Sequence, residues 1–225
     1  MPSPDPCAPG ARASEAAGSV PVVPVLTAPL RRRLLRVARE TIERGLAGEE
    51  VWLPSLEGMP EPLCALGASF VTLYSVQRRE EGRVLRGCVG SLDARRPLLQ
   101  DVAHNAYYSA FQDARFAPLC TSELASTELE LSILSPLVEL PYTDEPDLLR
   151  QLVVAKDGLA IEYATHRATF LPSVWEQLPD VNDFWLHLKR KAGLAADFWH
   201  PQLRCWRYRV LKIREADAGN GERMS

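Results

Sequence analysis

Two neighbouring stretches decide the fold: Leu66-Gly67-Ala68-Ser69-Phe70-Val71-Thr72-Leu73-Tyr74-Ser75-Val76 and Val84-Leu85-Arg86-Gly87-Cys88-Val89. Val71 and Leu73 alternate with Phe70, Thr72 and Tyr74. This alternation is the pattern of a strand with one buried face. The polar residues 79–83 between the stretches are typical of a turn. The sequence therefore predicts an antiparallel β-hairpin.

Helical spacing of apolar residues occurs on both sides of this hairpin. It predicts a first helix from Ala28 to Gly45 and a second from Leu98 to Phe111, with Pro97 at its beginning. Alternation predicts a one-sided strand around Leu129–Ile133. The same patterns continue further along the chain, with a helix at 147–154, a hairpin of 159–163 and 168–171, short helices at 173–178 and 183–192, and a final strand from Leu203 to Ile213.

Helices fall between pairs of strands rather than after every strand. The sequence therefore predicts an α+β fold with a mostly antiparallel sheet flanked by helices. Residues 1–27 are rich in Pro, Ala, Ser and Gly and predict a disordered tail. One domain is expected over residues 28–213, followed by a disordered tail at 214–225.

Composition excludes several classes of protein. The formal net charge of -3 and a pI near 5.9 disfavour a protein that binds nucleic acid through its overall field. The five cysteines are scattered and form no Cys-x-x-Cys pair, so we assign no metal site and no disulfide framework. No apolar run is long enough to span a membrane and no secretory signal is apparent, which predicts a cytoplasmic protein. We assign no cofactor, since no phosphate-binding loop is present.

Cys88 is the candidate catalytic nucleophile. A thiol reacts as its thiolate, which a nearby cation or converging backbone N–H groups stabilise. In a regular strand Arg86 shares a face with Cys88 and supplies positive charge, and Gly87 and Gly90 let the backbone bend toward an anion. The alternative is that Cys88 is a small buried residue at a bulge, with glycines where two backbones pack closely.

His104 is the candidate base, because catalytic thiols commonly pair with a histidine and His104 lies on the helix that follows the motif. The alternative is a surface or core histidine without a catalytic role. Residues predicted to bind substrate are Arg86, Gly87, Gly90, Asp113 and Arg115. For Asp113 and Arg115 the alternative is a local ion pair that fixes the loop beneath Phe116.

Several separated segments also match a known family in the right order. They are Phe70-Val71-Thr72-Leu73, Leu85-Arg86-Gly87-Cys88-Val89-Gly90, Asp113-Ala114-Arg115-Phe116, Leu129-Glu130-Leu131-Ser132-Ile133-Leu134-Ser135, Phe170-Leu171-Pro172-Ser173-Val174-Trp175 and Lys191-Ala192-Gly193-Leu194. On these residues the chain resembles the AMMECR family, and within it the prokaryotic branch called AmmeMemoRadiSam system protein A. Ala114 replaces the family's usual proline and Val89 its usual isoleucine, and neither change removes a functional group.

The resemblance implies an α+β body with a smaller subdomain packed beside it, and a pathway shared with a Memo-like protein and a radical S-adenosylmethionine enzyme. Three hypotheses follow. The first is an enzyme or substrate-handling component that acts on a small-molecule or protein substrate at a cleft beside Leu85–Gly90. The second is a non-catalytic adaptor that docks a partner protein through this segment, and the third is an RNA-binding module.

Overall fold

The computed structural model describes residues 19–76 and 82–218. The chain divides into two compact units. Within the described residues, the first unit comprises 24–76, 82–134 and 211–218, and the second comprises 19–23 and 135–210. Most of the predicted N-terminal tail (1–18), part of the predicted turn (77–81) and residues 219–225 lie outside the described residues.

Both units combine helices with antiparallel strands, which confirms the α+β class. The helices are α1 (Ala28–Leu46), α2 (Glu61–Cys64), α3 (Leu98–Phe111), α4 (Glu145–Arg150), α5 (Val181–Lys191) and α6 (Glu215–Ala218). The strands are β1 (Leu66–Ser75), β2 (Val84–Gly90), β3 (Arg96–Pro97), β4 (Thr127–Leu134), β5 (Val138–Glu139), β6 (Gly158–Tyr163), β7 (His166–Phe170), β8 (Arg204–Tyr208) and β9 (Val210–Arg214). Short 3₁₀ helices occur at Thr121–Ser126 and Pro172–Glu176.

The first two predicted helices are confirmed as α1 and α3. Pro29 lies in the first turn of α1, where its missing N–H costs no helical hydrogen bond. One side of α1 is buried in the core of the first unit, through Leu34, Leu35, Val37, Ala38 and Ile42. Among the described residues, no helix has both the length and the apolar composition needed to cross a bilayer.

The sheet of the first unit has the order β2-β1-β4-β9, and β3 pairs with the beginning of β1. β1 runs antiparallel to β2 and to β4, which confirms the predicted hairpin and the strand around Leu129–Ile133. The expectation that this strand has one buried face is wrong, because Glu130 and Ser132 on its other face are buried too. Val71, Leu73 and Leu131 are fully buried in one core with α1 and α3. Because side chains alternate along a strand, Thr72 and Glu130 lie on the opposite, outer face of the sheet.

The second unit has its own sheet, in the order β5-β8-β6-β7, and its own hydrophobic core. β6 and β7 form the predicted hairpin. The rings of Trp175 and Phe184 stack in this core with their centroids 3.7 Å apart. Aromatic packing of this kind contributes stability beyond the area that it buries.

The prediction of one final strand from Leu203 to Ile213 is wrong. This stretch forms β8 and β9, which belong to different sheets. Between them, Arg209 donates its N–H to Ser135 Oγ at 2.9 Å, and the Ser135 N–H donates to the Arg209 carbonyl at 2.9 Å. These two hydrogen bonds to Ser135 take the place of pairing with a neighbouring strand at Arg209. The sequence does not reveal this break, because the alternation of apolar residues continues through Arg209.

Three further boundaries are corrected. The helix predicted at 147–154 is α4, which begins earlier because the Asp144 carboxylate accepts a hydrogen bond from the Asp147 N–H at 2.7 Å. The structure also extends beyond residue 213, since Arg214 ends β9 and Glu215 accepts from the Leu129 N–H at 2.9 Å. Similarly Leu26, within the predicted N-terminal tail, is buried in the first core.

Candidate functional site

The β1–β2 hairpin contains an irregularity at the start of the cysteine motif. Leu73 pairs with Gly87, but the next residue, Tyr74, pairs with Leu85, so Arg86 has no partner across the ladder. An extra residue of this kind is a β-bulge, which bends the strand and redirects side chains. The simple alternation expected for Arg86 and Cys88 is therefore interrupted.

Gly87 lies where β2 meets α3. A Cβ on Gly87 would be 2.2 Å from the carbonyl oxygen of Ser109, which no side chain tolerates. The Ser109 hydroxyl accepts from the Val89 N–H at 2.8 Å and donates to the Val71 carbonyl at 2.7 Å, so it connects both strands of the hairpin. The glycine of the motif thus permits a close helix–strand contact, as one of the two sequence interpretations expected.

The backbone of Cys88 is held by the loop that follows α3. Its N–H donates to Asp113 Oδ2 at 2.9 Å, and its carbonyl accepts from Arg115 Nη2 at 3.1 Å. Asp113 and Arg115 also pair with each other at 2.6 Å. Hydrogen bonds from Arg115, and then from the Cys88 N–H, hold the pKa of Asp113 well below its usual range. These two loop residues cap the edge of β2 at Cys88.

The thiol of Cys88 lies on the outer face of the sheet and is partly exposed. Thr72, directly opposite on β1, donates its hydroxyl hydrogen to Cys88 Sγ at 3.4 Å. Arg115 is a second neighbour: its pKa is raised mainly by its hydrogen bonds to Asp113, and the nearby Cys88 sulfur acts in the same direction. The sulfur therefore has a hydroxyl donor and a cation as neighbours.

Arg86 does not supply the charge beside the thiol, contrary to the sequence prediction. Its guanidinium binds both carboxylate oxygens of Glu123, at 2.7 and 3.1 Å, and the Ala117 carbonyl at 2.9 Å. This interaction is the main reason that the pKa of Glu123 falls to about 2. Because Arg86 is the bulged residue, it anchors the 117–123 segment, and Arg115 takes the position beside the sulfur.

The structure does not bring His104 to the thiol. His104 stacks on Tyr108 with ring centroids 4.3 Å apart, and its Nδ1 lies 3.4 Å from Asn105 Oδ1. Burial lowers the pKa of His104. It belongs to α3, which packs on the Gly87 side of β2, whereas the Cys88 side chain lies on the other side. Cys88 and His104 therefore do not form a catalytic pair in this structure.

Gly90 completes the motif by a second close approach. A Cβ there would lie 2.3 Å from the ring of Phe70 and 2.4 Å from the Ser69 carbonyl oxygen. The predicted substrate-binding residues thus divide into two groups. Asp113 and Arg115 surround Cys88, whereas Arg86, Gly87 and Gly90 shape the backbone around it.

Sequence reasoning missed Thr72 and Ser109 as parts of the site. Thr72 could have been identified from the hairpin, because cross-strand neighbours in a non-hydrogen-bonded pair bring their side chains together. Ser109 had no such signal, since its role depends on how closely α3 approaches β2. No group of three or more potential metal ligands occurs among residues 19–76 and 82–218.

The fold and site define a two-unit α+β protein with a thiol on the polar face of an antiparallel sheet. A family model for AMMECR1 matches residues 35–213. The chain therefore belongs to the AMMECR1 family, as its motifs predict.

Relatives in archaea share most of the chain. "Protein MJ0810" of Methanocaldococcus jannaschii is 34% identical over 185 residues, which is 81% of this chain and 89% of the relative. A protein of Methanothermobacter thermautotrophicus is 34% identical over 191 residues, covering 82% and 93% of the two chains. The crystal structure of uncharacterized protein PH0010 from Pyrococcus horikoshii is similar with a TM-score of 0.69 at 30% identity, over 80% of this chain and 88% of that one. These similarities establish family and fold.

Proposed function

We propose that this protein handles a substrate through the Cys88 thiol, as a component of a pathway with a Memo-like protein and a radical S-adenosylmethionine enzyme. The pathway is proposed from the motifs that resemble AmmeMemoRadiSam system protein A. The observation that carries the chemical part is the hydrogen bond from Thr72 Oγ1 to Cys88 Sγ at 3.4 Å, beside the Arg115 guanidinium. Cys88 is partly exposed, and the Thr72 hydroxyl donates to its sulfur.

The surroundings of Cys88 support a reactive role over a purely structural one. A structural cysteine is buried among apolar side chains, as Cys205 is, where burial raises the pKa of the thiol to about 12. Cys88 instead is partly exposed, so that a ligand can approach it. The Asp113–Arg115 pair fixes the backbone on both sides of the thiol, which positions the sulfur without closing the site.

A specific observation also favours the adaptor hypothesis. Val84 and Leu85 on the edge strand β2 are 56% and 38% exposed, next to the motif. Exposed apolar residues on an edge strand are suited to docking a partner by strand addition. In that case Cys88 would be a neighbour of the interface rather than a reacting group.

The test is the rate of alkylation of Cys88 by iodoacetamide, measured peptide by peptide with mass spectrometry. Thr72→Val keeps the shape of the side chain and removes the hydroxyl, and Thr72→Ser is the matched control that retains it. One hydrogen bond is worth about 1 kcal/mol, and about half of its effect on the rate is offset because a stabilised thiolate is less nucleophilic, so we expect a roughly two- to threefold slower reaction in Thr72→Val. Exposed Cys120 is the internal reference in every sample.

Two outcomes would contradict the proposal. The first is a Cys88 that reacts only after denaturation, while Cys120 reacts in the folded protein. The second is an equal Cys88 rate in Thr72→Val, Thr72→Ser and the wild type, which would show that the hydroxyl does not act on the sulfur. Unfolding curves of all variants establish that the fold is retained.

A further inference from the structure

A row of polar side chains crosses the outer face of the first unit's sheet, beginning at the Cys88 thiol. Thr72 on β1 is directly opposite Cys88 on β2 and directly opposite Glu130 on β4. Neighbouring strands are about 4.8 Å apart, so Cys88 and Glu130 are separated by about 10 Å on one surface. The register thus aligns the thiol with a carboxylate two strands away.

Glu130 is a buried carboxylate on which three cations converge. Its side chain is only 6% exposed, and its Oε2 accepts from Arg214 Nε at 2.7 Å and from Arg83 Nη1 at 3.3 Å. Lys212 Nζ lies 4.0 Å from Oε1. A buried carboxylate is costly without such partners, so Glu130 holds these cationic groups together at a fixed place on the sheet.

The cations retain hydrogen-bonding capacity beyond what Glu130 uses. Within the described part of the chain, Lys212 Nζ makes no hydrogen bond and Arg214 donates only through Nε. Their side chains are 36% and 45% exposed. Arg83 is fixed by stacking over the Tyr74 ring at 3.9 Å and by an ion pair with Glu128 at 3.2 Å. The two arginines already bind Glu130, and the ammonium of Lys212 is a third cation directed at the same carboxylate.

We propose that Arg83, Lys212 and Arg214 bind the oxyanionic end of an extended substrate whose electrophilic carbon reaches the Cys88 sulfur. The inference rests on the proposed function of Cys88 and specifies the class of its substrate. The anionic group, a carboxylate or a phosphate, is carried about 10 Å from the reacting carbon, as the two-strand separation requires. Lysine and arginine are the side chains that bind such groups by charge-assisted hydrogen bonds.

The experiment compares two thiol reagents that differ in one charge. They are 6-maleimidohexanoate, whose carboxylate is carried on a pentamethylene chain, and its uncharged methyl ester. In both, the sulfur forms a bond to one alkene carbon as the carbon–carbon π bond breaks, and the other carbon takes up a proton. The ratio of the two rates is measured at Cys88 and at Cys120, in the wild type and in two variants. Lys212→Gln removes a proposed ligand, and Lys156→Gln makes the same charge change at an exposed lysine of the second unit.

We expect the ratio of charged to uncharged reagent to be roughly threefold higher at Cys88 than at Cys120, which is the effect of one partly exposed ion pair between the carboxylate and a cation. Lys212→Gln should abolish most of this preference and Lys156→Gln should leave it. Excess inorganic phosphate should reduce the preference for the charged reagent at Cys88 in the wild type. Equal ratios at the two cysteines, or a ratio at Cys88 that Lys212→Gln leaves unchanged, would overturn the anion-binding inference. If Cys88 still reacts fast in that case, the proposed function of Cys88 is upheld. Slow reaction of Cys88 with both reagents would refute both.

Discussion

Replacing Gly87 with alanine tests the contact on which the candidate site is built. The added methyl would lie 2.2 Å from the carbonyl oxygen of Ser109 and 3.2 Å from its carbonyl carbon. Because both are backbone atoms of α3, no change of rotamer can relieve the overlap. The strand and helix must separate, which also stretches the hydrogen bonds of the Ser109 hydroxyl to Val89 and Val71.

The loss in free energy of unfolding follows from the steric overlap and from the stretched hydrogen bonds. Overpacking a close contact costs about 1–3 kcal/mol, and each hydrogen bond of Ser109 contributes about 0.5–1.5 kcal/mol. We therefore expect Gly87→Ala to lower the free energy of unfolding by about 3 kcal/mol. The control is Gly58→Ala, where φ is +68° and no atom lies within 4 Å of the added Cβ. There the cost is only that of a left-handed backbone, about 1–2 kcal/mol.

Urea unfolding followed by far-ultraviolet circular dichroism measures both variants, with the slope m as a check on the transition. Because the chain has two units, hydrogen exchange of the peptides that contain Val71 and Val89 locates the loss. Faster exchange there in Gly87→Ala, but not in Gly58→Ala, is the expected result. The reasoning is refuted by a Gly87→Ala variant that is no less stable than Gly58→Ala and exchanges like the wild type in this hairpin.

Two further predictions concern buried charge in the first unit. Burial raises the pKa of Asp101 to about 6, although Ser69 and Asn105 donate to its carboxylate. A carboxyl group whose folded pKa exceeds its unfolded value binds more protons in the folded state, so its contribution to stability falls by about 3 kcal/mol as the pH rises from about 4 to about 6. Asp101→Asn should remove this fall from urea melts taken across that range, and parallel curves for variant and wild type would contradict it. Arg86→Lys should raise the pKa of Glu123 from about 2 and lower the free energy of unfolding at pH 7 by about 1–2 kcal/mol, because the paired hydrogen bonds to Glu123 are lost. Stability from a carboxyl with a depressed pKa is present above its unfolded pKa and lost as the pH falls through its folded pKa, so the stabilities of the two proteins should converge below about pH 2. Equal stability at neutral pH would refute the assignment.

The candidate site was partly predictable. Its location at Cys88 and the participation of Asp113 and Arg115 followed from the motifs and from the resemblance to the family. The roles of Arg86 and His104 did not follow. A regular strand predicts Arg86 beside the thiol, but the bulge is a break in register that no periodicity reveals. Proximity along the chain favours His104, but it does not tell on which side of a strand a helix packs.

The sequence by itself determined the fold class and most of the helices and strands. Alternation over 66–76 and helical spacing over 28–45 depend only on which side chains must leave water, and this information is local. The tertiary structure alone decided which groups meet. Arg115 rather than Arg86 binds the backbone at Cys88, Ser109 connects the two strands, and the stretch from Leu203 to Ile213 divides between two sheets. Each of these depends on the register of a strand or on the approach of a distant backbone, and such contacts are selected by packing of the whole unit rather than by any local pattern.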